Sequence, residues 1–224
     1  MLLLRRLESA LVSYDAHMHD LSAFVLAGGR SSRLGRDKAL LPFGDRNFLQ
    51  IALDNARAVC PDPVVVGARS LYASYGPVIE DRIPGCGPLS GIHAALTTTQ
   101  AEVNLIVSVD MPLMSSDFLR WLLQTAATCD ELAIVPEAQG RTQPLCSVFR
   151  RGALAEVERV LRTGEYKVDR LFSIVPTRFV LETEWRDAGF LPDIFRNVNT
   201  PAEYEAVLAE IEELSTEPSR SRCS

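Results

Sequence analysis

The sequence predicts an α/β protein with a mostly parallel central sheet covered by helices on both faces. Three observations carry that reading. Short apolar runs of strand length alternate with amphipathic stretches along most of the 224 residues, the pattern of strands joined by crossover helices. Polar features fall directly after the predicted strands: the Gly28 to Lys38 loop, Gly67, Asp81, Asp110, and Asn197 with Asn199. No internal repeat or long linker interrupts the pattern, and the length suits one sizeable domain. That single domain is expected over residues 21–214, between an N-terminal extension (1–20), expected to be poorly ordered, and a frayed polar tail (215–224).

The first strand is the apolar run Ala23 to Ala27, which breaks into Gly28-Gly29. A turn at Gly44-Asp45 precedes a helix from about Phe48 to Val59, with Phe48, Ile51, Ala52 and Ala56 on one face. Pro61 and Pro63 end it before the buried strand Val64 to Val66. A helical turn over Leu71 to Tyr75 and a strand over Val78 to Glu80 follow. Gly85 to Gly91 reads as a second glycine-rich loop, and Ile92 to Thr98 as a helix. Leu105 to Val109 is the central strand, and Ser115, Ser116 and Asp117 offer N-caps for a helix to about Thr128. Leu132 to Pro136 and Leu145 to Phe149 are strands around a polar loop, Glu137 to Gln143. Arg151 to Arg162 is helical and Thr177 to Leu181 a strand. Thr200, Pro201 and Glu203 form a capping box for a last helix reaching about Leu214.

Bulk properties narrow the function. A net charge of −6 and a pI near 5.2 argue against general nucleic-acid or anionic-membrane binding, so an anionic ligand needs a local cationic pocket. No apolar run approaches membrane-spanning length. The h-region of a secretory signal would need a longer apolar run than residues 1–20 supply. Cys60, Cys86, Cys129, Cys146 and Cys223 are scattered without a C-x-x-C pair, which suits a reducing cytoplasm and gives no zinc signature. His17 and His19 form an H-x-H without further ligands, and His93 sits in an apolar-facing segment. Cys86 has no neighbouring base in sequence to activate its thiol.

The cationic pocket has one candidate. After Gly28-Gly29 come Arg30, Arg33, Arg36 and Lys38, four cations within nine residues. Small residues let a backbone approach a ligand, and converging amides bind anions. The stretch lacks G-x-x-x-x-G-K-[ST] and G-x-G-x-x-G, so it is neither a P-loop nor a dinucleotide fingerprint. A surface turn with solvated charges is the alternative; a strand running straight into the loop favours phosphate binding. Asp110, after the central strand, is the best metal ligand, because magnesium takes one or two carboxylates together with phosphates and water. The alternative for Asp110 is a turn residue.

Four pieces in order then resemble one family. Leu26-Ala-Gly-Gly-Arg-Ser-Ser-Arg-Leu-Gly-Arg-Asp-Lys-Ala-Leu-Leu41 resembles the signature loop of nucleotidyltransferases that activate small phosphates with NTPs. Glu80-Asp81 with Gly87-Pro-Leu-Ser-Gly-Ile92, then Val109-Asp-Met-Pro112, then Asn197-Val-Asn-Thr-Pro201 complete a resemblance to the molybdenum cofactor guanylyltransferases over about residues 21–210. The resemblance implies a Rossmann-like, three-layer α/β/α nucleotidyltransferase fold. It implies transfer of GMP from GTP to molybdenum–molybdopterin, giving the guanine dinucleotide cofactor and pyrophosphate, with Mg2+ as cofactor. It further implies transient contact with proteins that deliver molybdopterin or mature molybdoenzymes.

By the same resemblance, Leu26, Ala27 and Gly28 hold the nucleotide through their backbone and Lys38 binds its phosphates. Asp81 and Gly67 contact the nucleotide, Asp110 binds GTP and magnesium, and Arg33 is the loop arginine. Asn197 and Asn199 lie near the pterin side. The implied catalytic set is Asp110, Lys38 and Arg33. Where the family often has asparagine after the second strand, this chain has Gly67, which keeps a backbone contact and loses the amide. A cytidylyltransferase acting on the same cofactor and a sugar-phosphate nucleotidyltransferase are the rival readings. Gly28-Gly29 and Pro88-Leu89-Ser90-Gly91 side with guanine, and Asn-Val-Asn-Thr-Pro separates the chain from the sugar-phosphate enzymes.

Overall fold

The protein is described by a computed structural model covering residues 20–28, 37–81, 83 and 85–216. The expectations for residues 1–19, for Arg30, Arg33 and Arg36, and for 217–224 lie outside the described residues. Ten strands are present among them: β1 (Leu21–Leu26), β2 (Pro42–Phe43), β3 (Arg46–Asn47), β4 (Val64–Val66), β5 (Val78–Ile79), β6 (Val103–Ser108), β7 (Ala133–Ala138), β8 (Arg141–Thr142), β9 (Cys146–Arg150) and β10 (Thr177–Val180). The α-helices are α1 (Phe48–Arg57), α2 (Arg69–Tyr72), α3 (Pro88–Thr98), α4 (Ser116–Ala126), α5 (Leu154–Thr163), α6 (Val168–Phe172), α7 (Glu182–Asp187) and α8 (Pro201–Thr216).

The main sheet has the order β10-β7-β9-β6-β1-β4-β5, with β8 folded back on the end of β7. β1 runs parallel to both β4 and β6, with Leu26 level with Val66 on one side and Ser108 on the other. β9 is antiparallel to β6 and to β7. The sequence accounts for that exception: a short polar loop joins β7 to β9, and a parallel return needs a crossover of a dozen or more residues. The chain moves outward from β1 to β4 and β5, then returns to β6 on the other side of β1. The order therefore reverses between β1 and β6, and a crevice opens at the carboxyl ends of these strands.

Alternation along the central strands builds two cores. Ala23, Val25, Leu105 and Val107 face one layer with Phe48, Leu53, Phe118 and Trp185. Phe24, Leu26 and Ile106 face the other with Leu89, Ile92, Val157 and Leu171. A period of two puts successive side chains on opposite faces, and helices cover both. Asn47 starts α1 with a capping box, its side chain accepting from Gln50 N and Gln50 returning the bond to Asn47 N, both at 2.9 Å.

Several boundaries differ from the sequence reading. The second glycine-rich loop ends at Gly87, and Pro88 already occupies the first turn of α3, where a missing N–H costs nothing. Gly91 is thus a packing glycine, since a Cβ there would lie 2.1 Å from Leu26 Cδ2. Gly91→Ala is expected to destabilise the fold by about 1–3 kcal/mol through overpacking, read as a lowered Tm in thermal unfolding. The last helix continues through Ser215 and Thr216, two residues into the segment expected to fray. The β2–β3 hairpin, the β8 strand and helices α6 and α7 lay in stretches too short or too mixed to show a period. Among the described residues no helix is long and apolar enough to cross a membrane.

Candidate functional site

The end of β1 is stitched to both neighbours. Leu26 O accepts from Val109 N at 3.2 Å, while Ala27 N and Gly28 N both donate to Val66 O at 3.0 and 3.2 Å. Gly67 N in turn donates to Ile79 O at 3.0 Å. The amides of Ala27 and Gly28 are therefore spent inside the protein. An N–H has one proton to give, whereas a carbonyl keeps a second lone pair, so carbonyls are the groups this stretch can turn toward a ligand. A Cβ on Gly28 would meet nothing closer than 3.8 Å. Among the described residues no packing contact demands glycine there, and a small residue suits close approach of a ligand.

Lys38 opens a short 3-10 turn, Lys38–Leu40, capped by Asp37, whose Oδ1 accepts from Ala39 N at 3.0 Å. The turn aims Lys38 across the crevice. Its Nζ donates to Asn199 Oδ1 at 2.7 Å and stands 3.7 Å from Asp110 Oδ2. Burial lowers the Lys38 pKa, opposed by the charges of Asp110 and Glu203. The other oxygen of Asp110, Oδ1, is buried with no hydrogen-bond partner among the described residues. A buried carboxylate oxygen left unsatisfied is costly unless a ligand meets it.

The segment after residue 195 reaches the site through the backbone. Val198 N donates to Asp110 O at 2.9 Å, and the Val198 side chain is buried while Asn197 and Asn199 are exposed. Glu203 accepts from Asn199 N at 2.7 Å and from Thr200 N at 2.9 Å, and Thr200 Oγ1 accepts from Glu203 N at 3.2 Å. This is the capping box expected at Thr200 and Glu203. Those bonds, led by the one from Asn199, hold the Glu203 carboxyl below its usual range.

Asp81 follows β5 at the far side of the crevice. Its Oδ1 accepts from Ile83 N at 2.8 Å, and its Oδ2 accepts from the hydroxyl of Ser90, a buried residue in the first turn of α3. Next to it, the ring of Tyr72 lies against Gly67, and the Tyr72 hydroxyl reaches Ala27 O and Asp37 Oδ2.

The fold thus gathers Lys38, Asp110 and Asn199 into direct contact at the reversal point. Gly67 and Asp81 stand at the next two strand ends. Asn197 shares the Asn199 segment but makes no bond to the cluster among the described residues, and Arg33 lies outside them. The sequence assigns no individual role to Asp37, Tyr72 or Ser90, although Asp37 and Ser90 lie within the matched motifs. The position of Asp37 directly before Lys38, and glycine where the family often has asparagine, were the available signals. His93 sits on α3 with Nε2 3.9 Å from Glu158 Oε1, away from these residues.

The donor set fits one kind of metal. Among the described residues no three His, Cys, Asp or Glu side chains group together, so the protein offers no closed cage. A single carboxylate with one unsatisfied buried oxygen suits a hard divalent cation that takes its other ligands from phosphate and water. A separate cavity of about 690 Å³, lined by Arg141, Thr142, Asp169 and Phe172 among others, contains none of these residues.

Comparison with known proteins identifies relatives of the chain. A family model described as "MobA-like NTP transferase domain" matches residues 23–178. The chain is 31% identical over 192 residues to a "Probable molybdenum cofactor guanylyltransferase" of Carboxydothermus hydrogenoformans, covering 85% of this chain and 96% of that protein. It is 30% identical over 188 residues to the "Molybdenum cofactor guanylyltransferase" of Vibrio cholerae, covering 82% and 89%. Its fold is similar to that of molybdopterin-guanine dinucleotide biosynthesis protein A from Archaeoglobus fulgidus, with TM-score 0.76 and 23% identity over 86% of this chain and 99% of that one.

Proposed function

The chain belongs to the MobA-like NTP transferase family, and from that premise we propose that it transfers GMP from GTP to molybdenum–molybdopterin. The observation that carries the reading is the meeting of Lys38, Asp110 and Asn199 where the strand order reverses. That meeting joins an ammonium for phosphates, a carboxylate for a metal and an amide from the segment assigned to the pterin side.

The reaction makes one P–O bond and breaks one. A terminal phosphate oxygen of the pterin attacks the α-phosphorus of GTP in line, and the bond to the β-phosphate opens to release pyrophosphate. Both reactants are anions, so the chain's task is to align them and neutralise charge, with no protein nucleophile required. Leu26, Ala27, Gly28, Gly67 and Asp81 form the nucleoside side. Lys38, with Arg33, meets the triphosphate and holds positive charge where the pyrophosphate departs. Asn197 and Asn199 face the acceptor. We assign the cation to magnesium: Asp110 would hold it, and when bound it supplies charge neutralisation at the phosphates. We place the enzyme in the cytoplasm, in transient contact with proteins that supply molybdopterin or receive the product.

Pyrophosphate release in the presence of magnesium and molybdenum–molybdopterin, compared across GTP, CTP, ATP and UTP, tests the reading. GTP is expected to give a kcat/KM at least tenfold above the others. Preference for CTP would replace guanylyl by cytidylyl transfer on the same fold.

A further inference from the structure

We propose that Tyr72 is a positioning residue for the triphosphate site, tying Asp37, and through it the turn that carries Lys38, to the end of β1. The inference deepens the guanylyltransferase reading and rests on it for the role of Lys38.

The tie is a short run of contacts. Tyr72 is buried, and its hydroxyl donates to Asp37 Oδ2 at 2.7 Å while lying 3.2 Å from Ala27 O, a second acceptor for the same proton. The bond to the carboxylate is the shorter and is charge-assisted. The remaining oxygen of Asp37 accepts from Ala39 N at 3.0 Å and so caps the Lys38–Leu40 turn. One carboxylate is therefore gripped on both oxygens, by tyrosine on one side and by the turn on the other. Lys38, the next residue, leaves that turn to reach Asn199 and Asp110.

Tyr72 is itself held. It closes α2, whose first residue is fixed to β5: Glu80 Oε1 accepts from Arg69 N at 2.9 Å, and Val78 O accepts from Arg69 Nη2 at 2.7 Å. Its ring fills the space over Gly67, where a Cβ would lie 2.6 Å from Cε2 and 3.0 Å from Cδ2. Gly67 thus gains a reason in this chain: absence of a side chain there seats the ring that reaches Asp37. Burial and the adjacent carboxylate push the Tyr72 pKa up, so the hydroxyl keeps the proton it donates.

The chain has two lysines, Lys38 and the exposed Lys167, which permits a readout independent of turnover. Full-length wild type, Tyr72→Phe, Asp37→Ala, the double variant and Gly67→Ala would be assayed for GTP-dependent pyrophosphate release. Acetylation of Lys38 by acetic anhydride would be measured by mass spectrometry relative to Lys167. Tyr72→Phe is expected to raise KM for GTP about tenfold, the loss of one charge-assisted bond, with kcat and the acceptor KM within about twofold. Lys38 acetylation should rise several-fold relative to Lys167, because a turn released from Tyr72 exposes a side chain that is now only 12% exposed. Gly67→Ala should reproduce both signs by displacing the ring. In the Asp37→Ala background, Tyr72→Phe should add less than twofold, because its partner is already gone. Unchanged Lys38 acetylation in Tyr72→Phe, or an equal Tyr72→Phe factor in both backgrounds, would overturn the proposal. Failure of wild type to release pyrophosphate from any nucleotide would sink the guanylyltransferase reading alone. The acetylation ratio would then still decide whether Tyr72 positions Lys38.

Discussion

Replacing Asp110 with asparagine is expected to reduce kcat/KM for GTP about a thousandfold, the scale seen when a group stabilising transition-state charge is lost. Asp110 Oδ2 stands 3.7 Å from Lys38 Nζ, and its Oδ1 is buried without a hydrogen-bond partner among the described residues. A neutral amide of the same shape cannot balance a divalent cation. The fold should tolerate the change, because it keeps the side-chain shape while removing a costly buried charge, and Asp110 O still accepts from Val198 N. Steady-state pyrophosphate release and thermal unfolding, measured on the same preparation, separate the two effects. Retention of more than a tenth of wild-type kcat/KM would remove Asp110 from the metal site.

Lys38→Met is expected to lower kcat/KM for GTP about a hundredfold, chiefly through KM. The side chain is only 12% exposed, so its ammonium acts where water screens little. The pH dependence follows from the direction of its shift. Burial favours the neutral amine and lowers the pKa from the ordinary lysine value of 10.5. The protonated form meets the phosphates, so KM should stay flat at lower pH and rise as the pH climbs through the lowered pKa. Bound GTP adds negative charge and moves that limb upward, toward the ordinary value. Lys38→Arg keeps the charge at every accessible pH and should flatten the alkaline limb. A limb that persists in Lys38→Arg would assign the titration to another group.

Much of the site was legible because strand ends in an α/β sheet converge by topology. Once Ala23 to Ala27 and Leu105 to Val109 read as buried strands of one parallel sheet, Gly28 and Asp110 were expected to line one crevice. Asn199 was marked by its segment, yet its bond to Lys38 spans 161 positions of chain and no local pattern encodes it. Tyr72 falls in the helical turn expected over Leu71 to Tyr75, and nothing in its neighbours in sequence points to Asp37. The sequence places Ser90 in a loop, and only as part of the first turn of α3 does it stand beneath Asp81. Gly91 falls in the same expected loop, whereas its smallness serves the contact with Leu26.

The sequence by itself determined the layers, the placement of polar residues at strand ends and the family. These follow from hydrophobic period, turn chemistry and ordered motifs, all of which are local. Only the tertiary structure decided which of those residues touch. It set the strand order that places β1 beside β6, brought Asn199 to Lys38, left one oxygen of Asp110 without a partner among the described residues and seated Tyr72 over Gly67. Such contacts depend on sheet order and on side chains meeting from distant elements, which local pattern cannot specify.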